Sequence, residues 1–217
     1  MNTRIAKIRY LLERGRTFNS ENKKKTARKL FIDAFESSKD LSADNYTIDA
    51  AHMVAIALED LDEKLEWTEK GIKIAEDSEN DKVKRWIGVF LNNSGWDLFD
   101  AKRYNEALEK FQKCEEFHKN VGNHQNQNIA RWSIAKTYRL LGKIEDSLKI
   151  QTALLNENDG KDESGYTYEE LGELYFLRGE KEKAKQFFSL AYEVLSKDKW
   201  LLKNESGRLG RLKKLSQ

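Results

Sequence analysis

Apolar and small residues recur along this chain at helical rather than strand spacing. In YTYEELGELYFLRGEKEKAKQFFSLAY (166–192), Tyr168, Leu171, Gly172 and Tyr175 fall at offsets 0, 3, 4 and 7, and Ala184, Phe188 and Ala191 at 0, 4 and 7. Each set makes one face of an α-helix. Gly179 stands between them, where a tight turn would reverse the chain. The stretch therefore predicts two helices folded back on each other.

The same pattern returns upstream. In residues 91–114, Leu91, Ser94, Gly95 and Leu98 repeat the first helix, and Ala107, Phe111 and Cys114 the second. In residues 131–154, Ile134, Ala135 and Tyr138 hold the first face, Gly142 the turn, and Ser147, Gln151 and Leu154 the second face. A looser copy at 48–71 keeps Ala51 and Ala55 but has His52 at the small-residue position and Thr68 where an aromatic is usual. That small position recurs at His52, Gly95, Ala135 and Gly172, at spacings of 43, 40 and 37 residues. A small residue is required where two helices come closest, and large aromatics opposite fill the groove beside it.

This pattern resembles the tetratricopeptide repeat (TPR), with its W-x2-L-G-x2-Y helix followed by A-x3-F and a later proline. The copy at 168–191 matches except that Tyr168 replaces Trp and the proline is missing. The resemblance covers residues 46–196, and its last three repeats carry it. It implies an all-α fold, a right-handed α-α superhelix of antiparallel helix pairs, and a single domain over residues 1–217. Within that domain, 1–45 is expected to form a helix pair, 46–196 four repeats, and 197–217 a capping helix. Spacings above the usual ~34 residues call for extra turns or longer loops. The Asn- and Gly-rich stretches 120–128 and 156–165 are the expected loops, with His124 in the first of them.

The flanks read as further helices. Residues 20–38 place Leu30, Phe31, Ala34 and Phe35 on one side, with Ser20 as a candidate N-cap, and 2–14 is expected to pair with them. In 200–216, Leu201, Leu209, Leu212 and Leu215 lie near one stripe, which fits an end cap with a polar outer face. A membrane-surface helix has a similar pattern, but Ser206 and Gly207 dilute this one, so the cap is preferred.

Composition narrows the classes. Of 217 residues, 39% are hydrophobic and 11% aromatic, enough for a core, and there is no proline to interrupt a helix. The net charge of +2 conceals basic flanks, +5 over residues 1–45 and +5 over 197–217, around a middle of −8. Without a nucleic-acid motif these read as solvated helix faces, so no nucleic-acid partner is expected. Gly207-Arg-Leu-Gly210 matches the GxxG of KH domains but lacks their strands. No apolar run approaches the ~20 residues that span a bilayer, so no membrane partner is expected. The opening residues lack a leader's apolar segment, which leads to a cytoplasmic expectation. The three glycosylation sequons are then chance matches.

Catalytic motifs of the H-E-x-x-H, G-x-S-x-G and P-loop types are missing, so the chain is read as a non-enzyme without cofactor. Cys114, His118 and His124, with Glu115 and Glu116 between them, suggest zinc, but the single cysteine stands at a packed small position and no metal is expected. His52 is read as a packed histidine.

Function then rests on the groove. The resemblance implies that the first helix of each pair lines a concave wall, where residues just after the core positions face a ligand. Asp49, Asn92, Trp132 and Glu169 make one layer there. Met53, Trp96, Lys136 and Glu173 make the next, and Ile56, Phe99, Arg139 and Phe176 a third. Trp and Phe beside Asn, Lys and Arg is the composition of a binding hot spot. The expected partner is a protein or peptide: Trp96 and Trp132 supply apolar contact, Asn92 and Asn93 bond its backbone, and Lys136 and Arg139 meet an acid group, with Phe99 beside them in the candidate set. Tyr166 completes the candidate set. The other reading of this face is that the basic flanks of the same chain cover it.

The chaperone carboxylate clamp needs Lys, Asn, Asn, Lys and Arg across three first helices. One register offers Asp49, Met53, Asn93, Ile129 and Ser133, the next Asn92, Trp96, Ser133, Tyr166 and Glu170. Neither supplies the cations, so that ligand is not expected. The alternative function is a scaffold that self-associates through its basic terminal helices.

Overall fold

The structure is a computed structural model that describes residues 2–39, 41, 44–158 and 164–217. All regular elements among them are helices, and they divide into two compact units, Met1–Val121 and Gly122–Gln217. The first unit contains the pairs α1 (Asn2–Ser20) with α2 (Lys24–Lys39), α3 (Asp44–Ala57) with α4 (Leu61–Asp77), and α6 (Trp86–Asp100) with α7 (Tyr104–Asn120). A single turn, α5 (Asp81–Lys84), lies between α4 and α6 and accounts for the long spacing there. The second unit contains α8 (His124–Leu140) with α9 (Ile144–Asn158), α10 (Ser164–Leu177) with α11 (Lys181–Leu195), and then α12 (Lys199–Asn204) and α13 (Ser206–Leu215).

The expected close approach is present. A Cβ added to Gly95 would stand 2.4 Å from the Phe111 ring, and one added to Gly172 would stand 2.6 Å from the Phe188 ring. Both phenylalanines are almost fully buried. The first helix thus leaves a notch that the second helix fills with a ring.

Gly15 and Phe31 make the same contact at 2.4 Å, with the same sixteen-residue offset. Ala27 and Ala34 stand where Ala184 and Ala191 do in the last pair. The pair α1–α2 is therefore a repeat of the same kind, which extends the pattern into the flank.

The pair α8–α9 departs from it. Gln151 replaces the ring opposite Ala135, is fully buried, and neither of its amide atoms has a hydrogen-bond partner among the described residues. Unpaired buried amides are costly, which makes this the least well satisfied of the pair interfaces.

Four of the turns within pairs share one geometry. Asn22, Lys102, Gly142 and Gly179 have φ between 59° and 79°, and the next residue's N–H returns to a carbonyl five residues back. This is the Schellman closure, which satisfies the last carbonyls of the first helix.

Several boundaries differ from expectation. Ser20 ends α1 and bonds Thr17 O rather than capping α2. The 120–128 stretch is mostly helix: Asn123 accepts from Asn126 N–H and starts α8 at His124, so His124 is helical. Of 156–165, residues 156–158 end α9, Ser164 and Gly165 open α10, and 159–163 lie outside the described residues. The expected cap is two helices, broken at Glu205.

Candidate functional site

Successive first helices within each unit are joined through the predicted layers by polar contacts. In the first unit, Arg16 on α1 donates twice to Asp49 on α3, at 2.7 and 2.6 Å. Asn93 on α6 donates to Nε2 of His52 on α3 at 3.0 Å. The His52 ring also meets Trp86 and Phe90 edge-on, with centroids 5.0 and 5.8 Å apart. Burial lowers its pKa below the usual histidine range, consistent with a neutral packed ring that accepts at Nε2.

Trp96, half-buried, packs edge-on against Phe99 (5.0 Å) and against the ring of Phe111 (5.2 Å). Met53 is half-buried and Ile56 is 42% exposed on the same helix, α3. Asn92, half-exposed one turn before Trp96, makes no side-chain hydrogen bond to the rest of the described chain.

In the second unit the candidate charges bind one another. Glu170 on α10 is 2% exposed and accepts from Lys136 at 3.1 Å and from Arg139 at 2.7 and 3.1 Å, both on α8. Burial raises the Glu170 pKa, but the Arg139 hydrogen bonds and the Lys136 charge outweigh it and hold the carboxyl below the ordinary range. Arg139 is correspondingly raised: burial opposes its charge and Glu170 more than restores it.

Lys136 Nζ also lies 4.8 Å over the Trp132 ring, and Trp132 meets Tyr166 edge-on at 6.3 Å. Glu169 is bound by Arg208 of α13, and Glu173 by Arg211 at 2.5 Å. Arg208 also covers Tyr166 at 5.1 Å. The basic flank therefore does cover part of this face, between Tyr166 and Glu173.

Sequence reasoning missed Arg16, Glu170, Arg208 and Arg211 as partners of the predicted layers. Their signal is charge complementarity between positions 31 to 39 residues apart, which has no local periodicity.

Cys114 and His118 face α6 from α7. Cys114 Sγ lies 3.5 Å from Gly88 O, and a Cβ on Gly88 would stand 2.5 Å from the His118 ring. No group of three or more metal-ligating side chains is assembled among the described residues, and none of their helices is long and apolar enough to cross a membrane. Burial pushes the Cys114 thiol up to about 12, so little nucleophilic thiolate exists near neutral pH. A chromogenic disulfide reagent at pH 8 is expected to leave the folded protein unmodified and to titrate one thiol in denaturant. Rapid reaction of the native protein would contradict the packing of α7 on α6.

No family model matches the chain, and none of the curated proteins matches it. Solved structures do. A putative kinesin light chain protein from Podosopora anserina, with TPR-like repeats, aligns over 88% of this chain and 95% of its own, at 15% identity and a TM-score of 0.69. The chain has the tetratricopeptide repeat fold. RapI in its apo form aligns over 90% of this chain at 14% identity with a TM-score of 0.79, and the match spans 55% of RapI. YrrB, described as a TPR protein with an unusual peptide-binding site, aligns over 90% of both chains at 16% identity and a TM-score of 0.56. The first helices of each unit carry the candidate surface.

Proposed function

We propose that the chain is a non-enzymatic module that binds an extended peptide or a segment of a partner protein on the exposed face of the first helices within each unit. The observation that carries this reading is Asn92: a half-exposed amide with no partner in the described chain, one turn from the half-buried Trp96. A side-chain amide can donate to and accept from a peptide backbone, and an aromatic beside it supplies the apolar anchor typical of hot spots. Met53, Ile56 and Phe99 extend the apolar contact, while Asp49 and Asn93 are held in place by Arg16 and His52. YrrB, similar in fold, is described as having a peptide-binding site, which fits this reading by analogy of fold only.

In the second unit Trp132 and Tyr166 offer aromatic contact, while Lys136, Arg139, Glu169 and Glu173 already have internal partners. An acidic ligand there must exchange with Glu170. The stronger contacts are therefore assigned to neutral backbone and apolar groups.

The experiment is affinity capture with the full chain, mass-spectrometric identification, and measured affinities for variants. Asn92→Ala is expected to weaken the partner by about 1 kcal/mol and Trp132→Ala by about 2 kcal/mol. Asn92→Ala should leave the melting temperature unchanged, because its amide bonds nothing in the chain. Unchanged affinity in both variants would refute the proposed face.

A further inference from the structure

Helix α13 carries arginines at 208 and 211 and leucines at 209 and 212. The arginines turn to α10: Arg208 Nε donates to Glu169 at 2.9 and 3.2 Å, Arg208 Nη1 to Glu205 at 2.9 Å, and Arg211 Nη1 lies 2.5 Å from Glu173. The leucines turn to α11, where Leu209 and Leu212 are buried with Ala184, Phe188, Ala191 and Leu195. Each arginine thus sits one residue before a leucine, and the two pairs are one helical turn apart.

Two features of α13 itself bear on how firmly it is built. Glu205, with φ −128° and ψ 37°, breaks it from α12. Within its ten residues stand Gly207 and Gly210, and an added Cβ at either meets nothing within 4 Å. By contrast Gly15, Gly71, Gly88, Gly95, Gly165 and Gly172 each abut another side chain closely. The α13 glycines therefore have no packing reason, and they lower helix propensity. A ten-residue helix with two glycines does not persist alone in water. Docking forms it.

We infer that Tyr166, Glu169 and Glu173, with the apolar side of α11, make a receptor for a basic amphipathic helix of the pattern Arg-Leu-x-Arg-Leu. Helix α13 is its resident, displaceable occupant, and a partner protein's helix of that pattern takes its place. Charge complementarity selects this ligand: residues 197–217 carry +5, against Glu169 and Glu173 one turn apart on α10. The inference rests on the proposed binding role of the first helices and gives the chemistry of a partner for the second unit.

The test uses the full chain and a fluorescently labelled peptide of residues 205–217, followed by anisotropy. Arg208→Glu/Arg211→Glu sets like charges against Glu169 and Glu173 and releases α13. The labelled peptide is expected to bind this variant at least about tenfold more tightly than wild type, with affinity falling as salt rises. Amide exchange over 206–215 should quicken in the same variant. Gly207→Ala/Gly210→Ala, which strengthens the resident helix without adding a contact, should weaken peptide binding several-fold.

Peptide binding to the released chain no tighter than to wild type, with exchange accelerated, overturns the inference. Should the charge reversal prevent folding, the alanine pair decides: peptide binding unchanged or tighter overturns it. A wild-type mass of two chains by light scattering assigns α13 to exchange between copies and also overturns the partner assignment. Asn92→Ala reads the other unit, so failure of the proposed function and failure of this inference are separately visible.

Discussion

Lys136→Ala/Arg139→Ala is expected to destabilise the second unit by about 3–5 kcal/mol, because it leaves the Glu170 carboxylate buried without a cation. The sum is not two surface ion pairs, which are worth little each. The cost comes from the acceptor: Glu170 is 2% exposed, and both of its oxygens are taken by α8. Glu170→Gln in that double variant should recover much of the loss, since a neutral amide tolerates the site better than a bare charge.

The pH dependence has a definite sign. The Glu170 pKa is lower folded than unfolded, so its contribution is complete above the ordinary value near 4.5 and is lost as pH falls through the folded value. Wild type should lose stability below about pH 4 more steeply than Glu170→Gln. Chemical denaturation at pH 7 and at acid pH measures both effects; identical acid profiles would show that the Lys136–Glu170–Arg139 cluster does not persist in solution.

Gly172→Leu is expected to cost about 3 kcal/mol, the upper end of the usual overpacking range. A Cβ alone would already stand 2.6 Å from the Phe188 ring, and Phe188 is held in a cluster with Ala184, Ala191, Leu195 and Leu201. The ring has nowhere to withdraw. Gly210→Ala serves as the control, because that site is open and alanine favours the helix. Thermal melts should show a large fall for the first variant and none for the second. Equal melting temperatures for Gly172→Leu and wild type would refute the glycine–ring notch as the element that sets the pair.

That notch is why the fold could be read from the sequence. The sixteen residues from Gly95 to Phe111, or Gly172 to Phe188, express a local rule: one helix, one tight turn, one helix. The same offset from Gly15 to Phe31 was equally legible and extends the repeat into the flank. Turns were readable where glycine marks the left-handed residue, at 142 and 179, and not at Asn22 or Lys102, where a residue with a Cβ takes that conformation. Asn- and Gly-rich composition misled at 120–128, because Asn123 acts as a cap and the helix begins at once.

The candidate site was legible only in outline. Helical phase placed Lys136, Arg139, Glu169 and Glu173 in the layers between first helices, but their occupancy depends on side chains 31 to 39 residues away. Nothing periodic announces that Glu170 consumes two cations, or that α13 returns to cover Glu169.

A photo-crosslinking residue placed at Ile56, 42% exposed on α3, compared with one at Leu190, 40% exposed on α11, tests the binding face most directly. Both sites are similarly accessible, and only the first lies in the proposed layer with Phe99. Partner adducts are expected from position 56, reduced on Asn92→Ala, and none from position 190. Adducts from position 190 alone, insensitive to Asn92→Ala, would contradict the proposed face.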